Sequence, residues 1–402
     1  MYTLQEQTVE ALKNNGREFE VLLNLVTWTE NSGETVTKSY DGKSIVDFTI
    51  DEMCSSDGKL TLGAVSSAKL TIKLRTFDNI AQSQKLRPFI RLKITDGFTE
   101  WIPLGAYYVD IAKRNYEMLT LTAYDGLVLA EREYITSLTF PAKMLDVVCE
   151  IADNIGFSIA ENHNIADYTL NEAPWGYTCR EVLGFIASAS FGNAHLDRTG
   201  CFKVSGSYLT NITPDSIDKN SYTAFTETGE VCRVDRLVIQ LSKTNTVQFG
   251  TGLNSVTIFN PLISKEYGQL IYNSVAGFTY TPMTLEWKGR PDIEANDVLS
   301  ITARDGRVVK TVIVNNKITF NGGLSQSSSA KALSEQQTKY GEGYYSKNNA
   351  QSVGSGGSTE IYDLDTDTSQ KLQYIYLSST VPANSVGEDG DICIVRLNEG
   401  AV

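Results

Sequence analysis

Two histidines, His163 and His195, and six cysteines, Cys54, Cys149, Cys179, Cys201, Cys232 and Cys393, are the residues available to imidazole or thiol chemistry. A zinc site built on histidine needs at least two convergent imidazoles, and neither histidine stands near a second ligand type at a metal-binding spacing. His195 adjoins Leu196 in strand-like sequence, where a packed or surface histidine is the better account. A Cys–His hydrolase would have to pair a histidine with Cys149, Cys179 or Cys201. Cys149 and Cys179 fall in amphipathic helical patterns and read as small buried hydrophobes. Cys201 shares a hairpin with His195, which makes it the least unfavourable partner, but no oxyanion-stabilising motif accompanies the pair.

Other motifs resolve to ordinary turns. No G-x-S-x-G nucleophile elbow occurs, and Gly250-Thr-Gly-Leu-Asn-Ser255 lacks the third glycine and the following helix of a dinucleotide loop. Asp363-Leu-Asp-Thr-Asp-Thr-Ser369 opens like a calcium loop, with Asp363, Asp365 and Asp367 alternating. An EF-hand needs Gly at its sixth position and Glu at its twelfth, and here Thr368 and Tyr374 stand there. A solvated acidic turn is the simpler reading. Carboxylates are plentiful enough for a glycosidase-like pair, but no spacing singles one out. Trp28, Trp101, Trp175 and Trp287 would suit a carbohydrate-binding surface, although most fall in strands or beside turns, where core packing is the ordinary explanation. No catalytic residue, metal or cofactor is therefore expected.

The elements that would position such groups are mostly strands. The 402 residues suggest two to four domains. Hydrophobic content of 41% and charged content of 21% belong to a folded globular chain. Lys+Arg 35 against Asp+Glu 48 leaves a net charge of −13, which argues against a surface that grips phosphate backbones. No apolar run approaches the ~20 residues of a membrane span. Met1-Tyr-Thr-Leu-Gln-Glu-Gln has neither the basic nor the apolar region of a signal peptide, and scattered thiols without CxxC pairs fit synthesis in a reducing cytoplasm.

Residues 1–137 carry period-two runs at Phe19–Trp28, Ser44–Ile50, Ala68–Leu74, Phe89–Ile94, Trp101–Val109 and Leu119–Tyr124, with an Asp-Gly turn at 96–97. Short antiparallel strands without helices predict a small barrel or sandwich. Over 138–221 the period changes. Met144, Leu145, Val148, Ile151, Ala152 and Ile155 share a helical face, with Pro141 in the first turn and Gly156 at the stop. Thr178 with Glu181 forms a capping box, and Ala194–Val204 reads as a hairpin turning at Asp197–Gly200. Strands return over 222–323, including a hairpin at Arg304-Asp-Gly-Arg307. Residues 324–358 hold a short exposed helix at Ser327–Lys339 and a flexible linker at Ser352–Ser358. Residues 359–402 form an acidic docking segment with strand-like Asp391–Arg396, in which Ile361, Tyr362, Leu364, Tyr374 and Tyr376 are candidate partner contacts. The class is mainly β with a small α/β insert.

Four segments in order across residues 45–323 carry a family resemblance. They are Ile45-Val-Asp-Phe-Thr-Ile-Asp-Glu with Gly63–Leu74; Ile102-Pro-Leu-Gly-Ala-Tyr-Tyr-Val-Asp110 leading to Leu121–Gly126; Trp175–Leu183 continuing to Ala194–Gly200; and Gly289–Val298 running to Ile318–Gly323. The chain resembles the baseplate hub or tail-tip proteins of tailed phages and prophages, in particular the N-terminal part of siphophage tail-associated proteins. The resemblance implies two tube-like β-barrel domains in each subunit and a homotrimer at the distal end of the tail tube, matching six-fold to three-fold symmetry. It implies contacts with tube or distal tail protein, tape-measure protein and a fibre, spike or receptor-binding protein, and a role in genome ejection from the virion tail tip. DNA would pass through the lumen without stable binding, repelled by carboxylates. The alternatives are a tail-associated peptidoglycan hydrolase and a carbohydrate-binding tip protein.

Overall fold

The computed structural model describes residues 2–14, 16–29, 33–206 and 214–333, together with the strands Ile375–Ser378 and Ile392–Val395. Two units result, Met1–Lys339 and Tyr340–Val402. Within the first, a helix α1 (Glu6–Lys13) precedes the longer strands β1 (Phe19–Thr29), β2 (Gly33–Asp41), β3 (Ile45–Met53), β4 (Lys69–Arg75), β5 (Lys85–Ile94), β6 (Tyr107–Asn115) and β7 (Met118–Asp125). Their alternation is the physical reason they form strands. Leu70, Ile72 and Leu74 are buried along β4 while Lys69, Thr71 and Lys73 are half-exposed, and β7 alternates likewise. Four later strands are β8 (Tyr222–Glu227), β9 (Met283–Trp287), β10 (Asn315–Phe320) and β11 (Leu324–Ala330).

These strands pair into one sheet in the order β8-β9-β11-β10-β3-β4-β7-β6-β5-β1-β2. The seam is the antiparallel pairing of β3 with β10, from Phe48 opposite Phe320 to Met53 opposite Asn315. The Phe48 and Phe320 rings stack there with centroids 5.3 Å apart. Ile318, Phe320 and Leu324 lie in the same apolar core as Leu23, Ile50, Leu70 and Leu121. The mainly β class with an α/β insert is observed. Closed barrels are not observed among the described residues, where the sheet is open and ends at β2 and β8.

The insert holds α2 (Met144–Ile155) and α3 (Cys179–Ala189) against a three-stranded sheet of Ser158–Ile159, Cys201–Ser205 and Asn193–Leu196. Gly156 ends α2 at φ 92°, and the Thr178–Glu181 capping box starts α3. Pro141 lies before α2 and not in its first turn, because Ala142–Lys143 pairs with Thr169–Leu170 and delays the helix to Met144. A fourth helix, α4 (Lys265–Val275), interrupts a stretch that reads as strands. Ser264 caps it, and Gly268 lets it approach the strand Arg236–Gln240, where a Cβ would meet Ile239 at 2.8 Å.

Residues 324–330, expected to begin a helix from Ser327, are a strand instead. Leu324, Gln326, Ser328 and Ala330 are buried in alternation, and β11 pairs with β9 on one side and β10 on the other. The linker at 352–358 lies outside the described residues. In the second unit, Ile375–Ser378 pairs in parallel with Ile392–Val395, so the strand expected near the end of the chain is present.

Candidate functional site

The hairpin expected at 194–204 forms as expected, with His195 opposite Lys203. Burial lowers the His195 pKa to about 4 and keeps the ring neutral. Its two ring nitrogens have no hydrogen-bond partner among the described residues, and it borders a small cavity of about 20 Å³ with Glu52, Asp125 and Glu294. Cys201 lines a different space, a groove of about 800 Å³. The two side chains therefore do not form a nucleophile–base pair. His163 is used locally, its Nδ1 accepting from the Ile165 amide at 3.0 Å. Cys179 is buried and its thiol is pushed up by burial. Cys149, expected in the core, is exposed, because α2 turns Val148 and Ile151 inward.

The tryptophans also divide. Trp287 is buried and donates from Nε1 to Ser328 Oγ at 3.3 Å. Trp101 packs under Arg91, whose guanidinium lies 4.3 Å from its ring centroid. Trp28 is 74% exposed and Trp175 is 66% exposed, so core packing does not account for those two. Gly250 ends the strand Thr246–Gly250 at φ 76°, where a Cβ would meet the Asp235 carbonyl at 2.3 Å. The glycine is a close-approach residue in a turn, with no helix directly behind it to receive a phosphate.

The densest charged cluster is internal. Arg198, on the hairpin turn of the insert, is 2% exposed and bonds the Glu52 carboxylate of β3 through both terminal nitrogens. Its Nε donates to the Pro291 carbonyl at 2.8 Å and Nη2 to the Ile293 carbonyl at 2.7 Å. Glu294 lies 4.0 Å from Arg198 and 3.6 Å from Lys203. Glu52 also accepts from Asn316 Nδ2 at 2.9 Å, and Asn316 Oδ1 accepts from Gln326 and Ser328. Burial alone would lower the Arg198 pKa, and the carboxylates reverse that and raise it. The two carboxylates are balanced by two buried cations, Glu52 hydrogen-bonded to the Arg198 guanidinium and Glu294 paired with Lys203 and Arg198, an arrangement suited to holding the fold and not to moving a substrate's proton. The cluster ties β3, the insert, the 290–297 loop and β10 together.

Asp125 is a second internal carboxylate. Burial raises its pKa to about 7 against the amides of Ala68 and Leu127, which donate to it at 2.8 and 3.0 Å. It thereby caps the 3₁₀ turn Gly126–Glu131 that leads into the insert. Among the described residues no group of three or more His, Cys, Asp or Glu could hold a metal ion, and no helix is long and apolar enough to cross a membrane. Asp363, Asp365 and Asp367 lie outside the described residues, as do Ile361, Tyr362, Leu364 and Tyr374. Tyr376 lies on the strand Ile375–Ser378, opposite Cys393.

Spacing reasoning missed the Glu52–Arg198–Glu294 cluster, since its members are scattered over some 240 residues of sequence. The one available signal was indirect. Arg198 and Glu294 each stand inside a segment that carries the family resemblance.

No protein-family model and no curated protein matches the chain. Solved structures do match. The tail protein from Neisseria meningitidis MC58 is 10% identical with a TM-score of 0.51, the match covering 78% of this chain and 96% of that one. The 43 kDa tail protein of prophage MuSo2 from Shewanella oneidensis is 12% identical with a TM-score of 0.47, covering 78% and 98%. A type VI secretion component from E. coli, described as similar to bacteriophage T4 tail proteins, is 9% identical with a TM-score of 0.38, covering 72% and 74%. The chain has the fold of a tail protein, and the resemblance to phage tail proteins is borne out at the level of the fold.

Proposed function

We propose that this chain is a structural subunit of a phage or prophage tail, a homotrimeric baseplate hub or tail tip that closes the distal end of the tail tube. Three copies, each contributing two tube-like β regions within 1–137 and 222–323, would present six such regions to the tube above and a three-fold end below. The 359–402 segment, with Ile361, Tyr362, Leu364, Tyr374 and Tyr376, would dock a fibre, spike or receptor-binding protein. Asp363, Asp365 and Asp367 would be a solvated acidic turn and not a cation site. Tape-measure and tube or distal tail proteins are the partners on the other side.

The observation that carries this reading is the open sheet. Strands from both β regions form it, and among the described residues its outermost strands, β2 and β8, each keep one edge without a strand neighbour. Such edges need covering by other chains or by their own charges. Its fold is like that of a tail protein and the described carboxylates at the seam are held in buried ion pairs, so we read the protein as non-enzymatic. The surplus of 48 acidic over 35 basic residues suits a conduit that phosphate does not stick to. Low-resolution imaging of the purified protein tests the reading: rings of three with a central opening support it, and copies with no common axis contradict it.

A carbohydrate-binding tip is the second reading, favoured by the exposure of Trp28 and Trp175. Glycan binding lost in Trp28→Ala and Trp175→Ala, and kept after deletion of residues 359–402, would promote it. Glycan binding absent from the wild type removes it.

A further inference from the structure

His195 is buried by the fold with neither ring nitrogen paired to protein. It lies on the insert strand Asn193–Leu196, opposite Lys203, and is 9% exposed. Neither Nδ1 nor Nε2 has a hydrogen-bond partner among the described residues. An imidazole withdrawn from bulk water in this way loses the hydrogen bonds it made in the unfolded chain, which opposes folding unless something replaces them. Buried side-chain polar atoms are in the large majority paired, either with protein or with ordered water.

The ring borders the cavity of about 20 Å³, where three parts of the fold meet. Glu52 reaches it from β3, Asp125 from the end of β7, and Glu294 from the 290–297 loop. Roughly 10–15 Å³ is enough for one water, so the space admits one particle of that size and nothing much larger. The lining narrows the choice. Three carboxylates repel an anion. A cation is poorly served, because Glu52 is bonded to Arg198 and Glu294 stands 3.6 Å from Lys203. Among the described residues no three His, Cys, Asp or Glu side chains converge as metal ligands. His195, kept neutral by burial, offers one N–H donor and one acceptor nitrogen. Asp125 accepts from the Ala68 and Leu127 amides, and a carboxylate has about four acceptor sites, more than those two fill. The occupant that fits is small, neutral, and both donor and acceptor.

We propose that this cavity is a binding site for one ordered water, which pairs a ring nitrogen of His195 with the carboxylates facing it. The water is a hydrogen-bonded bridge from the insert to the main sheet, beside the direct ion pair of Arg198 with Glu52. Internal waters of this kind are part of the structure and costly to remove. The site lies within one chain, so it is independent of the homotrimer reading.

The test uses the full-length chain. Crystals that diffract well enough to show internal waters should show a peak about 2.7–3.2 Å from Nδ1 or Nε2 of His195. A cavity without that peak, or an imidazole bonded to protein atoms instead, overturns the proposal. Soaking the same crystals in rubidium chloride separates water from a cation: an anomalous rubidium signal in the cavity overturns the water. In solution, magnetic relaxation dispersion of the water oxygen signal counts long-lived internal waters. The count should fall by one in His195→Phe and stay at the wild-type value in His195→Gln, whose amide keeps a donor and an acceptor. Equal counts in the wild type and a folded His195→Phe overturn the proposal, and if that variant does not fold the wild-type crystals decide.

Discussion

Arg198 and Glu52 form a buried ion pair across 146 residues of sequence, joining the hairpin of the insert to the strand at the seam of the main sheet. The guanidinium also bonds two backbone carbonyls of the 290–297 loop, so one side chain holds three parts of the fold in register.

Arg198→Met is expected to lower stability by about 3–5 kcal/mol, because it strands the Glu52 and Glu294 carboxylates out of water. Denaturant unfolding would show the midpoint falling with an unchanged slope. Arg198→Met/Glu52→Leu should recover part of the loss, since the uncompensated charge at Glu52 is gone. A single variant as stable as wild type would show that the pair holds nothing.

His195 gives a pH dependence with a defined sign. Its folded pKa, lowered to about 4 by burial, lies below the ordinary 6.5, so the unfolded chain takes up the proton first on acidification. The stability it contributes is fully present above pH 6.5 and is lost as pH falls through 4, by about 3 kcal/mol. Asp125 acts oppositely, because its raised pKa of about 7 makes its contribution fade as pH rises from about 4 to 7. His195→Leu should therefore lose less stability between pH 7 and pH 4 than wild type does. Parallel curves for the two proteins would refute the assignment.

Gly192 and Gly323 should respond to alanine in opposite ways. A Cβ at Gly192 would sit 2.0 Å from the Ser205 carbonyl, across the hairpin of the insert, whereas one at Gly323 meets nothing within 4 Å. Gly192→Ala should cost about 3 kcal/mol or more, and Gly323→Ala should be neutral or stabilise by a few tenths of a kcal/mol. Thermal unfolding of the pair distinguishes them.

Thr178→Ala should cost about 1 kcal/mol, because Thr178 Oγ1 accepts from the Glu181 amide at 3.2 Å at the start of a helix whose Val182, Leu183 and Ile186 are fully buried. Thr178→Ser should retain most of the stability.

Local patterns made the local elements legible. The capping box at Thr178, the glycine stop at Gly156 and the turn at Asp197–Gly200 each depend on residues within one turn of each other. The seam was not legible, because Phe48 and Phe320 pair across the whole intervening chain and either strand alone reads as an ordinary edge. β11 was misread because its buried side chains include Gln326 and Ser328, which look solvent-facing until Asn316 supplies their partners. The internal charge cluster was invisible for the same reason, as each of its members looks like a surface charge in sequence.

The mass of the wild-type protein in solution tests the central claim most directly. Sedimentation or light scattering should give three times the 44.3 kDa chain mass, falling only on dilution. A single species at the chain mass across the accessible concentrations would contradict the account.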